Sequence, residues 1–124
     1  MKSTESLEAH WEIIAEKGVN VLKKNTLGVI GLAARARGIA IGTNNVLESV
    51  RGKKAKLVLI ACDVSDNTRK TLTDKTAYYS VASEQIDITA EELGRAVGHN
   101  NTAAIAFTDE NFITAYKKSL SGDN

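Results

Sequence analysis

The chain has 124 residues, of which 43% are hydrophobic and 25% charged, a composition typical of one ordinary globular domain. No apolar run approaches the roughly 20 residues that span a bilayer, and the N-terminus lacks the apolar run of a signal peptide, so we expect a cytoplasmic protein with no membrane partner. The single cysteine, Cys62, excludes an internal disulfide. Because Cys62 lies in an apolar run and the chain has two histidines, we expect a buried, inert thiol and neither a metal site nor another cofactor.

The net charge of +1 hides an uneven distribution along the chain. Residues 25–75 carry nine lysines and arginines against four acids, whereas residues 76–124 carry three against seven. A polyanion would bind preferentially to the basic middle of the chain. A chance imbalance is the alternative, since an excess of this size is not extreme.

Residues 1–24 are predicted to form an amphipathic helical extension. Leu7, Trp11 and Ile14 follow helical spacing, and glutamates occupy another face. Gly18 is expected to end or weaken this helix. Its apolar face must pack either on the rest of the chain, which we favour, or on a protein partner.

The domain proper is predicted to cover residues 25–120 and to begin with a helix followed by a strand. Asn25 or Thr26 is placed to cap the helix, which ends near Arg37. Residues 39–41 predict a short strand.

A sharp turn and a short helix come next. Gly42 permits the turn, and Thr43 is expected to cap the helix. Val46, Leu47 and Val50 would then face inward.

The rest of the chain alternates between strands and helices. Two aliphatic runs, residues 56–62 and 102–108, predict strands that are buried on both faces. A helix is expected from Ser65 or Asp66 to about Tyr78. Residues 80–82 predict a short strand, and residues 85–88 a weaker strand or a loop.

The last two helices have clear start signals. Residues 89–92 form a capping box, and Gly98 is a typical helix stop. Asp109 is expected to cap a final helix whose inward residues are Phe112, Ile113, Tyr116 and Leu120. The alternation predicts a three-layer α/β/α sandwich with a small four-stranded mixed sheet, plus the extra N-terminal helix.

The sequence contains no arrangement that indicates catalysis. Asp63 and Asp109 follow the two buried strands, but Asp109 has a role as a helix cap and Asp63 can have one too. His99 lies in a predicted loop, and no spacing in the sequence links it to a nucleophile. We therefore expect no catalytic residues and no enzymatic activity.

The segment Gly42-Thr43-Asn44-Asn45 is the best candidate for a binding site. It places two amide side chains in the first turn of a helix, where free N–H groups and the helix dipole favour phosphate. Asparagine amides can also pair with base edges. Ordinary capping chemistry is the alternative. The basic residues that flank the turn in sequence are Arg35, Arg37, Lys53, Lys54 and Lys56.

Several stretches together resemble the ribosomal K-turn-binding superfamily, the group of ribosomal proteins L7Ae and L30e, in its bacterial YlxQ-like branch. The matching stretches are residues 31–37, 41–45, 55–61 with Asp63, 67–70, 73–75 with Tyr78 and Tyr79, 92–94, and 104–109. The resemblance covers about residues 27–118 and implies an α/β/α sandwich without enzymatic activity. It also implies binding to a kinked RNA helix with tandem sheared G·A pairs.

The resemblance further implies which residues contact RNA. Gly42, Thr43 and Asn44 match the Gly-Thr-Asn-Glu turn that enters the RNA groove, and residues 98–102 match a loop that packs on extruded bases. Asn45 replaces the glutamate of the archaeal members, so the contact loses its charge. Glu48 replaces a lysine, which places a carboxylate toward phosphate. The residues expected to bind RNA, called here the predicted RNA-binding set, are Arg35, Arg37, Gly42, Thr43, Asn44, Asn45, Glu48, Lys53, Lys54, His99, Asn100, Asn101 and Thr102.

Two functions follow. The first is binding of structured, kink-turn-like RNA, either ribosomal RNA or an mRNA leader, in the translation machinery. The second is a protein-interaction module with residual RNA affinity that docks through residues 1–24, motivated by Glu48 and by the helix around Trp11.

Overall fold

Four strands form one mixed sheet in the computed structural model, which describes residues 23–121. The strands are β1 (Ile39–Ile41), β2 (Leu57–Ile60), β3 (Ala82–Gln85) and β4 (Ala104–Phe107), and their order across the sheet is β1-β4-β2-β3. Strands β2 and β3 are parallel, while β4 is antiparallel to both β1 and β2. Every residue of the central strands β2 and β4 is buried, which confirms the prediction that the two aliphatic runs are covered on both faces.

Helices cover both faces of this sheet. Within the described residues they are α1 (residues 23–35), α2 (Thr43–Arg51), α3 (Asp66–Tyr78), α4 (Ala90–Val97) and α5 (Glu110–Ser121). Because side chains alternate along a strand, Leu57 and Leu59 face a core formed with α1, α4 and α5. Val58 and Ile60 face a second core formed with α2 and α3. The chain thus forms the predicted three-layer sandwich; the predicted helix around Trp11 lies outside the described residues.

The expected cap of α1 is wrong. Asn25 and Thr26 lie inside the helix, which already includes residues 23 and 24. Thr26 is buried, and its hydroxyl lies 2.9 Å from the hydroxyl of Ser119 on α5. This pair satisfies two buried polar groups at once and joins α1 to α5.

Two residues expected in the core are exposed. Cys62 is solvent-exposed because β2 ends at Ile60 and the chain then turns, with the Cys62 N–H donating to the carbonyl of Ile88. Leu120 is 47% exposed, and Ser119 takes the inward position in the last turn of α5.

Strand β3 lies between the two positions that the sequence suggested. It spans Ala82–Gln85 and, among the four described strands, pairs with β2 alone. Its side chains are mostly exposed, so hydrophobicity could not locate it; pairing with β2 sets its position.

Candidate nucleic-acid interface

An open groove runs beside the edge strand β1, between α2 and the loop that precedes β4. Five members of the predicted RNA-binding set line it: Arg37, Asn45, Glu48, Lys54 and His99. They come from three separate segments of the chain, and the fold brings them to one surface.

The N-terminus of α2 has no side-chain cap. Its N-cap residue is Gly42, whose φ of 91° and ψ of 154° suit glycine, and no side chain of residues 23–121 caps the first turn by a hydrogen bond. The other helices that begin within the described residues are capped: α3 by Ser65, α4 by Thr89 and α5 by Asp109. The α2 terminus therefore keeps its N–H donors available to an anion.

The prediction that Thr43 caps α2 is wrong. Gly42 takes the capping position, and Thr43 is the first helical residue. The next residue, Asn44, is exposed at the helix start, and no other described residue hydrogen-bonds to its side-chain amide. Val46 and Val50 are buried as predicted, and Leu47 is half-buried.

The amide of Asn45 is held in a defined orientation. Its Nδ2 donates a hydrogen bond of 2.8 Å to the carbonyl of Ile41, the last residue of β1. Because the nitrogen faces that carbonyl, Oδ1 is turned away from it and can accept a hydrogen bond from a ligand.

Charges of both signs meet along the groove. Glu48 lies one turn after Asn45 and is exposed, and Arg37 and Lys54 contribute positive charge. Arg37 has a φ of 58°, a left-handed conformation that costs a non-glycine residue about 1 kcal/mol. It follows α1, and such a position at a helix end is one where glycine is usual.

Ser49 is a groove residue that the sequence reasoning missed. It is 9% exposed, and among the described residues its Oγ is the one buried side-chain polar atom without a hydrogen-bond partner. Helical spacing from Asn45, four positions earlier, is the signal that could have placed it on this face.

The loop of residues 98–102 is held against α4. The His99 N–H donates to the Gly94 carbonyl at 2.8 Å, and a Cβ at Gly94 would collide with the backbone of Asn100. Thr102 is buried, and its hydroxyl donates to the Asn100 carbonyl at 3.1 Å. His99, Asn100 and Asn101 are exposed, so their side chains are presented to solvent while the backbone is fixed.

Two basic members of the predicted RNA-binding set lie elsewhere. Arg35 borders a depression over α1, α4 and α5, in the opposite layer from α2. Lys53 borders a depression next to Tyr78 and Tyr79, although its neighbour Lys54 lines the groove.

The acids that follow the buried strands have structural roles. An Asp63 carboxylate oxygen accepts a hydrogen bond of 2.8 Å from the Ala90 N–H at the start of α4, and Asp109 accepts one of 2.9 Å from the Asn111 N–H. In the part of the chain that the structure describes, no cluster of three or more His, Cys, Asp or Glu residues could hold a metal ion. None of the helices in residues 23–121 combines the length and apolarity that crossing a membrane requires.

The structure is thus an α/β/α sandwich with an uncapped helix N-terminus, among the described residues, beside a groove lined by polar and charged side chains. The family model of the ribosomal protein L7Ae/L30e/S12e/Gadd45 family matches residues 24–116. The chain belongs to this family. It is 40% identical over 84 residues to RNA-binding protein YlxQ of Bacillus subtilis (strain 168), an alignment that covers 68% of this chain and 83% of that protein. It is 36% identical over 69 residues to RNA-binding protein YlxQ of Enterococcus faecium, covering 56% and 67% of the two chains.

Solved structures share the fold. A protein of unknown function from Bacillus halodurans C superimposes with a TM-score of 0.69 at 29% identity, covering 77% of this chain and 96% of that chain. The Giardia lamblia 15.5kD RNA binding protein superimposes with a TM-score of 0.65 at 23% identity, covering 82% and 86%. At that identity the second likeness shows the fold alone.

Proposed function

We propose that this protein binds structured RNA of the kink-turn type through the groove between β1, α2 and the loop before β4. The observation that carries the proposal is the groove itself, which gathers Asn45, Lys54 and His99 next to the uncapped start of α2. The family membership and the names of the two bacterial relatives support RNA as the ligand.

The parts of the site suggest separate tasks. The first turn of α2 binds a phosphate through its N–H groups. The exposed amide of Asn44 pairs with a base edge, and Oδ1 of Asn45 accepts from a guanine N–H group. The loop of residues 98–102 packs on bases that leave the helix stack.

The chain acts without catalysis, in the cytoplasm, on ribosomal RNA or an mRNA leader within the translation machinery. The RNA-binding domain proposed for residues 25–120 also includes residues 23 and 24, which lie in α1, and the residues before them are proposed to be available to a protein partner. Asp63 and Asp109, the acids that follow the buried strands β2 and β4, are already engaged as helix caps and support this non-enzymatic role.

Two substitutions with opposite effects test the site. Asn44→Ala removes the base contact and is expected to raise the Kd for a kink-turn RNA about tenfold, within the range of a lost paired contact. Glu48→Lys replaces a repulsive charge with an attractive one and is expected to lower the Kd about fivefold. The side-chain charge changes by two units, which at about 8 Å from a phosphate in water makes the binding free energy more favourable by ~1 kcal/mol. Gel shifts and calorimetric titration measure both.

Glu91→Lys is the matched control for charge. Glu91 is exposed on α4, pairs with Arg95 at 2.6 Å and lies away from the groove. If Glu91→Lys strengthens binding as much as Glu48→Lys does, net charge alone explains the gain and the assignment of α2 to the RNA face fails.

A protein-interaction module with residual RNA affinity is the second candidate. The exposed Glu48 carboxylate favours it, because within the described residues no lysine or arginine pairs with it and it would repel phosphate. A partner that stays bound after nuclease treatment, and is lost on Trp11→Ala, would favour this function over RNA binding.

A further inference from the structure

A pair of adjacent tyrosines forms an exposed surface at the C-terminal end of α3. Tyr78 is 78% exposed, more than Leu32 at 59% or Leu120 at 47%, the other large exposed apolar side chains among the described residues. A single exposed apolar side chain is common on protein surfaces, but Tyr78 lies beside a second aromatic ring, that of Tyr79. Tyr78 makes no contribution to either core, so its ring is accessible to a ligand.

The geometry of the pair leaves one aromatic ring ready for a ligand. The ring centroids of Tyr78 and Tyr79 are 4.9 Å apart, and the ring planes meet at 79°. In this edge-to-face arrangement Tyr79, which packs against the core of α2 and α3, supports the exposed ring of Tyr78.

Basic residues border the tyrosines. Lys53 lines the same depression, together with Ala55, Ser80 and Val81. Arg51 and Lys75 are also exposed near the C-terminal ends of α2 and α3, and Asp74 precedes Tyr78 by one turn of α3. The balance of charge around the pair favours an anionic ligand.

Lys53 lies beside the tyrosines because its backbone adopts an unfavourable left-handed conformation. Lys53 and Ser80 have φ values of 59° and 58°, and each follows the end of a helix in a position that favours glycine. Two hydrogen bonds hold the turn at Lys53. The Lys53 N–H donates to the Val50 carbonyl at 3.1 Å, and the Lys54 N–H donates to the Ser49 carbonyl at 2.9 Å. This turn sends two consecutive lysines to different surfaces, Lys53 to the tyrosines and Lys54 to the groove.

The turn that follows α2 thus contributes adjacent residues to both surfaces, Lys53 to one and Lys54 to the other. We propose that Tyr78, Tyr79 and Lys53 form a stacking platform for an unpaired nucleotide of the RNA strand that leaves the groove. The base stacks on the ring of Tyr78, and the ammonium group of Lys53 pairs with the neighbouring phosphate. The inference rests on the proposed function, because the groove delivers the strand to the platform.

The test compares RNAs with and without a single-stranded tail. A kink-turn RNA is prepared blunt-ended and with a short oligouridine extension on either strand. The full-length protein is expected to bind one tailed RNA about tenfold more tightly than the blunt RNA, as stacking of one base on an aromatic side chain allows. Tyr78→Ala should abolish this gain and leave the affinity for blunt RNA unchanged, whereas Tyr78→Phe should keep the gain.

Leu32→Ala is the matched control, since Leu32 is a large exposed apolar residue on α1, away from the tyrosines. The exposure of Tyr78 means that Tyr78→Ala should fold, and thermal melts check this. If blunt RNA binds but neither tail adds affinity, or if Tyr78→Ala retains the gain, the platform is overturned while the proposed function stands. If blunt RNA does not bind, the proposed function fails. The platform is then tested with oligouridine alone: a change in the NMR chemical shifts of the Tyr78 ring on addition of oligouridine supports it, and unchanged shifts overturn it.

Discussion

Replacing Gly42 and Gly28 by alanine should change stability in opposite directions. An added Cβ meets nothing within 4 Å at either position, so packing does not distinguish the two substitutions. The backbone does: Gly42 has φ 91° and ψ 154°, whereas Gly28 lies within α1 in a helical conformation.

The magnitudes follow from the two conformations. Alanine at Gly42 incurs about 1–3 kcal/mol of backbone strain, offset by about 0.4–1 kcal/mol because the unfolded chain loses freedom. The net expectation is a loss of about 1–2 kcal/mol. Alanine at Gly28 removes the helix penalty of glycine and should gain about 0.5–1 kcal/mol.

Thermal and urea unfolding, monitored by circular dichroism, measure the stability of the two variants. For a domain of this size each kcal/mol shifts Tm by roughly 4–8 °C, so the two variants should fall on opposite sides of the unmodified protein. A Tm for Gly42→Ala equal to or above that of the unmodified protein would refute the conformation assigned to the β1–α2 turn. A loss at Gly28→Ala would show that α1 packs more tightly there than the structure indicates.

Two further substitutions test the loop before β4 and the start of α4. Gly94→Ala forces the backbone of Asn100 away from α4 and should weaken binding of kink-turn RNA although Gly94 is buried; unchanged affinity in a gel shift would contradict a role for the loop. Glu92→Ala removes the capping box with Thr89 and the 2.8 Å ion pair with Lys23, and should cost about 1 kcal/mol in urea unfolding at neutral pH. The hydrogen bond from Lys23, followed by those from Thr89, lowers the pKa of Glu92 in the folded state. The stabilisation by Glu92 is therefore complete above its pKa in the unfolded chain, about 4.3, and is lost as the pH falls through its lower pKa in the folded protein. A difference in stability between the unmodified protein and Glu92→Ala that persists at strongly acidic pH would contradict this cause.

The sandwich could be predicted from the sequence because its central features are local. The aliphatic runs around Val58 and Ile105 mark the buried strands, and the capping box at Thr89 and the stop at Gly98 mark α4. Where burial depends on an exact strand end, prediction failed: Cys62 belongs to the same apolar run as Ile60 but lies in the turn that follows β2.

The candidate site was predictable only in part. Asn45 and Glu48 share a face of α2 by helical spacing, so they could be placed together from the sequence. His99 reaches the same groove only through the pairing of β4 with β1, a long-range contact without a local signal. The separation of Lys53 from Lys54 depends on one left-handed residue, which no hydrophobic pattern reveals.

The most direct test of the central claim is the affinity of the full-length protein for a kink-turn RNA and for the same RNA with its tandem G·A pairs disrupted, measured over a range of salt concentrations. We expect the intact kink-turn to bind more tightly than the disrupted RNA at every salt concentration, with log K falling linearly against log salt by about 0.9 for each neutralised phosphate. Equal, weak binding of the two RNAs would contradict the claim that this groove recognises kink-turn RNA.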